Sequence, residues 1–131
     1  MVKKALLAVG AVFVVWSALD LIQHVLILGP VYQANADLWR APDAMKPAYI
    51  HTAVLLSSIA FTAIYAGLIK DRRPGTGLSY GFLWGVANGF AMGFCTYAVQ
   101  PIPFELAVVW TLGSIIEASL AGLMLGGMLK N

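Results

Sequence analysis

The chain has 131 residues, 60% of them hydrophobic and 11% charged, and a mean hydropathy of +0.82, whereas about a quarter of the residues in a soluble domain carry charge. A water-soluble fold of this length has no interior large enough for so much apolar surface, so the lipid bilayer is expected to be its solvent. The formal charge of +2 does not point to nucleic acid, because the basic residues stand at the ends of apolar stretches, and the single cysteine, Cys95, excludes an intrachain disulfide or a multi-cysteine metal cluster.

A membrane-spanning helix needs about 20 mostly apolar residues, and four stretches meet that length. The first, about 5–29, follows Lys3 and Lys4 and ends at Gly29-Pro30, since proline cannot continue the helical hydrogen-bond ladder. Its start resembles a signal peptide, and Ala34-Asn35-Ala36 offers small residues at cleavage spacing. The apolar stretch nevertheless exceeds the roughly 7 to 15 residues of a signal peptide, so it is read as a retained span. A polar loop over about 30–47 follows, with Tyr32 and Trp39 suited to the headgroup layer on a short interfacial helix. The remaining spans are placed at about 48–69, 78–99 and 104–129. The fold class expected is an all-α integral membrane protein, one four-helix transmembrane domain running up-down-up-down.

Orientation follows from the retention of basic residues on the cytoplasmic side. Lys3, Lys4, Lys70, Arg72, Arg73 and Lys130 fall on one side and only Arg40 and Lys46 on the other. Both termini are therefore expected in the cytoplasm, with the long loop outside, in what reads as a bacterial inner membrane.

The third span carries Gly81, Gly85, Gly89 and Gly93, and the fourth Ser114, Ala118, Gly122 and Gly126. Such small residues at every fourth position let two helix backbones approach closely. Matched rung for rung as an antiparallel hairpin, Gly81 meets Gly126, Gly85 meets Gly122, Gly89 meets Ala118 and Gly93 meets Ser114. That register centres the turn between residues 103 and 104, beside Pro101-Ile102-Pro103. The same ladders would also serve contacts with other membrane subunits or a homo-oligomer. A shorter ladder, Ser58, Thr62 and Ala66, lies in the second span, and the equal spacing of Trp16 to Asp20 and Trp84 to Asn88 is a faint sign of duplicated hairpins.

Six polar residues lie within the spans: Asp20, Gln23, His24, His51, Asn88 and Glu117. A central Asp costs about 2.5 to 3.5 kcal/mol even on the lower insertion scales, so these groups should face one another or water. Helical rise puts His24 and His51 roughly 8 Å from the outer surface, Asp20 about 13 Å and Glu117 and Asn88 about 18 Å. They would form a file from Glu105 and His51 at the mouth, through His24 and Asp20, to Asn88 and Glu117. Carboxyl and imidazole groups in such a file can pass protons. The other reading is interhelical glue, each hydrogen bond contributing about 0.6 to 2 kcal/mol; Asn88 and Gln23 suit that role best.

His24, His51, Asp20 and Glu117 would make an acceptable first shell for zinc, iron or manganese, but no His-Glu-x-x-His or paired Glu-x-x-His spacing supports one. Haem between His24 and His51 requires neighbouring first and second spans. No cofactor is strongly indicated, and neither Cys95 nor a serine has a triad pattern around it. Small multidrug-resistance exporters are similar in having four short spans and a membrane carboxylate, an architectural likeness without a shared motif. Two function classes follow: a structural or accessory subunit of a membrane complex, favoured by the glycine ladders, and a proton-linked transporter or channel using Asp20, His24 and Glu117. An enzyme stands third.

Overall fold

The computed structural model describes residues 2–131 and is helical throughout its long elements. Helix α1, Val2–Leu21, runs into a π-helical segment, Ile22–Ile27, and the short α2, Gly29–Ala34, follows. Two single 3-10 turns, Ala36–Leu38 and Pro42–Ala44, lead to α3, Pro47–Leu68, then α4, Pro74–Val99, and α5, Phe104–Met128. Four stretches, Val2–Ile27, α3, α4 and α5, are long and apolar enough to cross a membrane, as expected. Proline occupies the first turn of α3 and α4, where its missing N–H costs nothing.

Helix α4 begins at Pro74, earlier than the expected 78, and this brings Gly77 into the ladder as a fifth rung. Gly77, Gly81, Gly85, Gly89 and Gly93 are all buried against α5. The hairpin is as close as the ladders imply: a Cβ at Gly85 would stand 2.6 Å from the Cα of Ile115, and one at Gly89 2.8 Å from the carbonyl of Thr111. At Gly77 it would run into the carbonyl of Gly122, and at Gly81 into that of Ala118.

The register, however, differs from the one expected. Gly85 faces Ser114 and Ile115 instead of Gly122, Gly89 faces Thr111 and Ser114 instead of Ala118, Gly93 faces Ala107 and Thr111, and Gly126 faces Arg73 and Pro74. Ladders of period four fit equally well after a slip by whole rungs, here about two, so small residues alone do not select a register. Helix α4 stops at Val99 and α5 starts at Phe104, and the contacts centre the hairpin near residue 100, earlier than the expected point between 103 and 104. Each glycine then settles between two successive rungs of α5, as Gly122 does between Gly77 and Gly81. Thr111 fastens the seam, its single O–H shared between the carbonyls of Ala107 at 2.8 Å and Gly89 at 3.0 Å.

The other half of the bundle is held by side chains. Ala8, Val12 and Trp16 of α1 are buried with Phe61 and Tyr65 of α3 and Ala118, Ala121 and Leu125 of α5. The ladder of α3 contributes Ser58 and Thr62 to the buried face, and Ser58 returns its hydroxyl to the carbonyl of Val54 at 2.7 Å. Helices α3 and α4 meet through rings, with Phe61 5.3 Å from Trp84 and 4.6 Å from Tyr80 between centroids. The Tyr80 hydroxyl donates to the carbonyl of Phe61 at 2.8 Å.

The two ends are finished differently. At the loop end, Leu28, Ile102 and Leu106 form a small core with Tyr32, Trp39 and Trp110 packed on it, so the two expected headgroup aromatics are half-buried against α5. At the basic end, Asn131 donates through its side-chain nitrogen to the carbonyl of Lys70 and accepts from the backbone N–H of Arg72, both at 3.0 Å, tying the α3–α4 turn to the chain end.

Candidate functional site

The polar cluster of the first span coincides with the break in its α-helical geometry. At Ile22–Ile27 the hydrogen bonds step to the fifth residue, as in the 2.9 Å bond from Leu28 N–H to the carbonyl of Gln23. Wider turns of this kind recur at functional sites. Their effect here is to spread Gln23 and His24 onto different neighbours. Gln23 is buried and lies directly on Gly113 of α5, where a Cβ would overlap its amide. His24 turns instead towards α2, which follows a bend at Leu28.

A three-member network results. The Trp110 indole N–H donates to the Tyr32 hydroxyl oxygen at 2.8 Å, and that hydroxyl lies 2.6 Å from His24 Nδ1. Indole only donates, so with a neutral imidazole the Tyr32 O–H donates to Nδ1 and His24 carries its proton on Nε2. Nε2 in turn lies 4.0 Å from the Asp20 carboxylate and 3.4 Å from the Gln23 amide nitrogen. Burial pushes the Tyr32 hydroxyl above its usual range, against the opposing effect of the Trp110 hydrogen bond, so this proton is retained across the neutral range.

Two cavities share Asp20. One, of about 430 Å³ between α1 and α3, is lined by Ser17, Asp20, His24 and His51. The second, of about 360 Å³, takes lining from all four long helices and holds Asp20, Asn88 and Glu117 together with Trp16 and Trp84. The Ser17 hydroxyl is buried without a hydrogen-bond partner among the described residues, an unmet donor beside the first cavity. Trp16 secures α1 beside the central cavity, its indole N–H donating to the backbone carbonyl of Glu117 at 3.2 Å.

His51, His24 and Asp20 line one of these clefts and Asp20, Asn88 and Glu117 the other, with His51 and Asn88 both exposed. Glu105 is exposed and lines neither. Asn88 bonds within its own helix, Nδ2 to the carbonyl of Trp84 at 2.9 Å, whereas Trp16 reaches across to α5, so the two Trp-to-polar spacings do different work. Towards the basic end the cavities stop at the layer of Trp16, Phe61, Tyr65 and Tyr80.

The metal reading needs correction. Asp20, His24 and His51 line one cavity, yet among the described residues no three His, Cys, Asp or Glu side chains stand close enough to hold one ion. Haem between His24 and His51 fits poorly as well, since His24 Nδ1 is taken by Tyr32 and Nε2 faces Asp20 and Gln23. The roles of Tyr32, Trp110 and Ser17 were not legible in the sequence: Tyr32 reaches His24 past the bend at Leu28, Trp110 joins them from α5, and Ser17 differs in no local feature from any other helical serine. A scan against protein-family models finds none that matches, and no curated protein or solved structure matches the chain either.

Proposed function

We propose that this small four-span membrane protein performs a proton-linked function, with Asp20 and Glu117 as proton-accepting groups reached from the loop end past His51 and His24. The observation that carries this reading is the open cleft to which all four long helices contribute, with both carboxyl groups on its wall and Asp20 common to the groove of the two histidines. The glycine ladders, which from sequence favoured an accessory subunit, are occupied within the chain by its own hairpin and leave no such groove for a partner. The aromatic layer beyond Glu117 is not that of an open pore. A proton entering from the loop end is held at the carboxyl pair, and its onward passage requires the aromatic layer to move.

A second reading is supported by the half-exposure of the Asp20 and His24 side chains, 34% and 41%. A polar helix of a larger complex would cover them and offset the cost of leaving them against lipid. One experiment separates the two. The purified protein in liposomes with an internal pH dye should acidify or alkalinise the lumen under an imposed gradient, and Asp20→Asn or Glu117→Gln should reduce the rate at least about tenfold, equivalent to the roughly 1.4 kcal/mol of a tenfold change in an equilibrium. No flux from the wild type, with stoichiometric recovery in a larger complex that Asp20→Asn disrupts, would establish the accessory role instead.

A further inference from the structure

A groove at the opposite, basic end carries a separate assignment. It has a volume of about 420 Å³ and lies between α1, the end of α3 and the chain end. Its floor is made of small apolar residues, among them Ala5, Ala63, Ala66 and Gly67, and its rim carries Lys4, Arg72 and Lys130 without an acidic side chain. Asp71, the nearest acidic residue in sequence, is engaged at 2.9 Å by Arg73. Neither Lys4, Arg72 nor Lys130 forms an ion pair among the described residues.

Arg72 is set for a ligand. One of its terminal nitrogens donates to the free carbonyl of Ala66 at 3.0 Å, which fixes the guanidinium over the end of α3. Its Nε is buried without a partner among the described residues, so the guanidinium is partly withdrawn from water where Arg72 lines the groove. Guanidinium matches phosphate oxygens in geometry and charge, and the two lysines add point charges on either side. The floor below continues into the apolar span. A Cβ at Gly67 would meet nothing within 4 Å, so the space beside α3 is empty of protein.

Charge at the rim, an open apolar trough below it and a position where the spans end match one occupant. We propose that this groove binds an anionic phospholipid, the phosphodiester held by Arg72, Lys4 and Lys130 and an acyl chain lying along Ala63 and Gly67. Basic pockets between spans recognise such lipids by these means. The site does not share residues with the polar cavities, so its occupancy is independent of the proton-linked reading.

Native mass spectrometry of the intact protein, titrated with phosphatidylglycerol, phosphatidylcholine or inorganic phosphate, tests the assignment. One phosphatidylglycerol should be retained per chain, and phosphatidylcholine should not compete. Lys130→Gln and Arg72→Gln should each weaken retention about fivefold, the effect of one basic residue near a lipid surface. Because Arg72 also holds the end of α3, Gly67→Leu provides the second variant: it fills the trough where nothing else is touched and should displace the lipid while thermal stability is unchanged. Equal retention of both lipids, unchanged retention in Gly67→Leu, or displacement by millimolar inorganic phosphate would overturn the proposal, the last by revealing a phosphate site instead.

Discussion

The α4–α5 hairpin and the seam of α1 with α3 solve one problem in opposite ways. Lipid tails are as apolar as leucine, so no hydrophobic force drives spans together, and close packing or interhelical hydrogen bonds must do so. In the hairpin, five glycines remove the side chains and the backbones touch. Around α1 and α3, Trp16, Phe61, Tyr65, Tyr80 and Trp84 fill the space with rings and hydrogen bonds. Rings keep helices further apart than glycines do, and where the aromatic layer ends, towards the loop, the spacing leaves room. The cavities of Asp20, His24 and Glu117 occupy that room. A chain built wholly of glycine hairpins would have no place for them.

The sharpest way to break this contrast is to add side chain where backbone meets backbone. Gly81→Leu drives its Cβ into the Ala118 carbonyl, which cannot yield as a flexible side chain would. The hairpin should part, with a loss above about 4 kcal/mol, the range reserved for gross packing faults. Gly10→Leu, at a glycine with nothing within 4 Å of a Cβ, should stay within about 0.5 kcal/mol of the wild type. Thermal unfolding in one detergent would show both, and equal effects would refute the contrast. On the aromatic side, Phe61→Ala removes a fully buried ring that touches Trp16, Tyr80 and Trp84. It should cost about 3 kcal/mol, since the cavity it leaves is enclosed by helices that cannot close onto it.

The smallest change falls on the loop-end network. Tyr32→Phe removes the acceptor of Trp110 and the partner of His24, and should cost about 1 to 2 kcal/mol near neutral pH. Its pH dependence has a definite sign. The folded-state value of Tyr32 is raised, so its contribution is complete below the unfolded value of about 10 and is lost as pH rises through the folded one. The stability gap between wild type and Tyr32→Phe should therefore narrow above about pH 10; a gap that widens there would show that the hydroxyl is not held in its neutral form.

Composition and length alone determined that the chain forms four helices long and apolar enough to cross a bilayer, because a continuous run of about 20 apolar residues satisfies its own backbone polar groups as a helix. The four-residue spacing of glycines likewise determined that α4 and α5 pack backbone to backbone, and the helical repeat put Asp20 and His24 near enough to share a groove. The register of that hairpin was decided only in three dimensions, since a ladder of period four is blind to a slip by whole rungs. The π-helical turn at Ile22–Ile27 was decided there too. It seats Gln23 on Gly113 and turns His24 to Tyr32, contacts between residues far apart in the chain or across the bend at Leu28, for which local sequence carries no periodic signal.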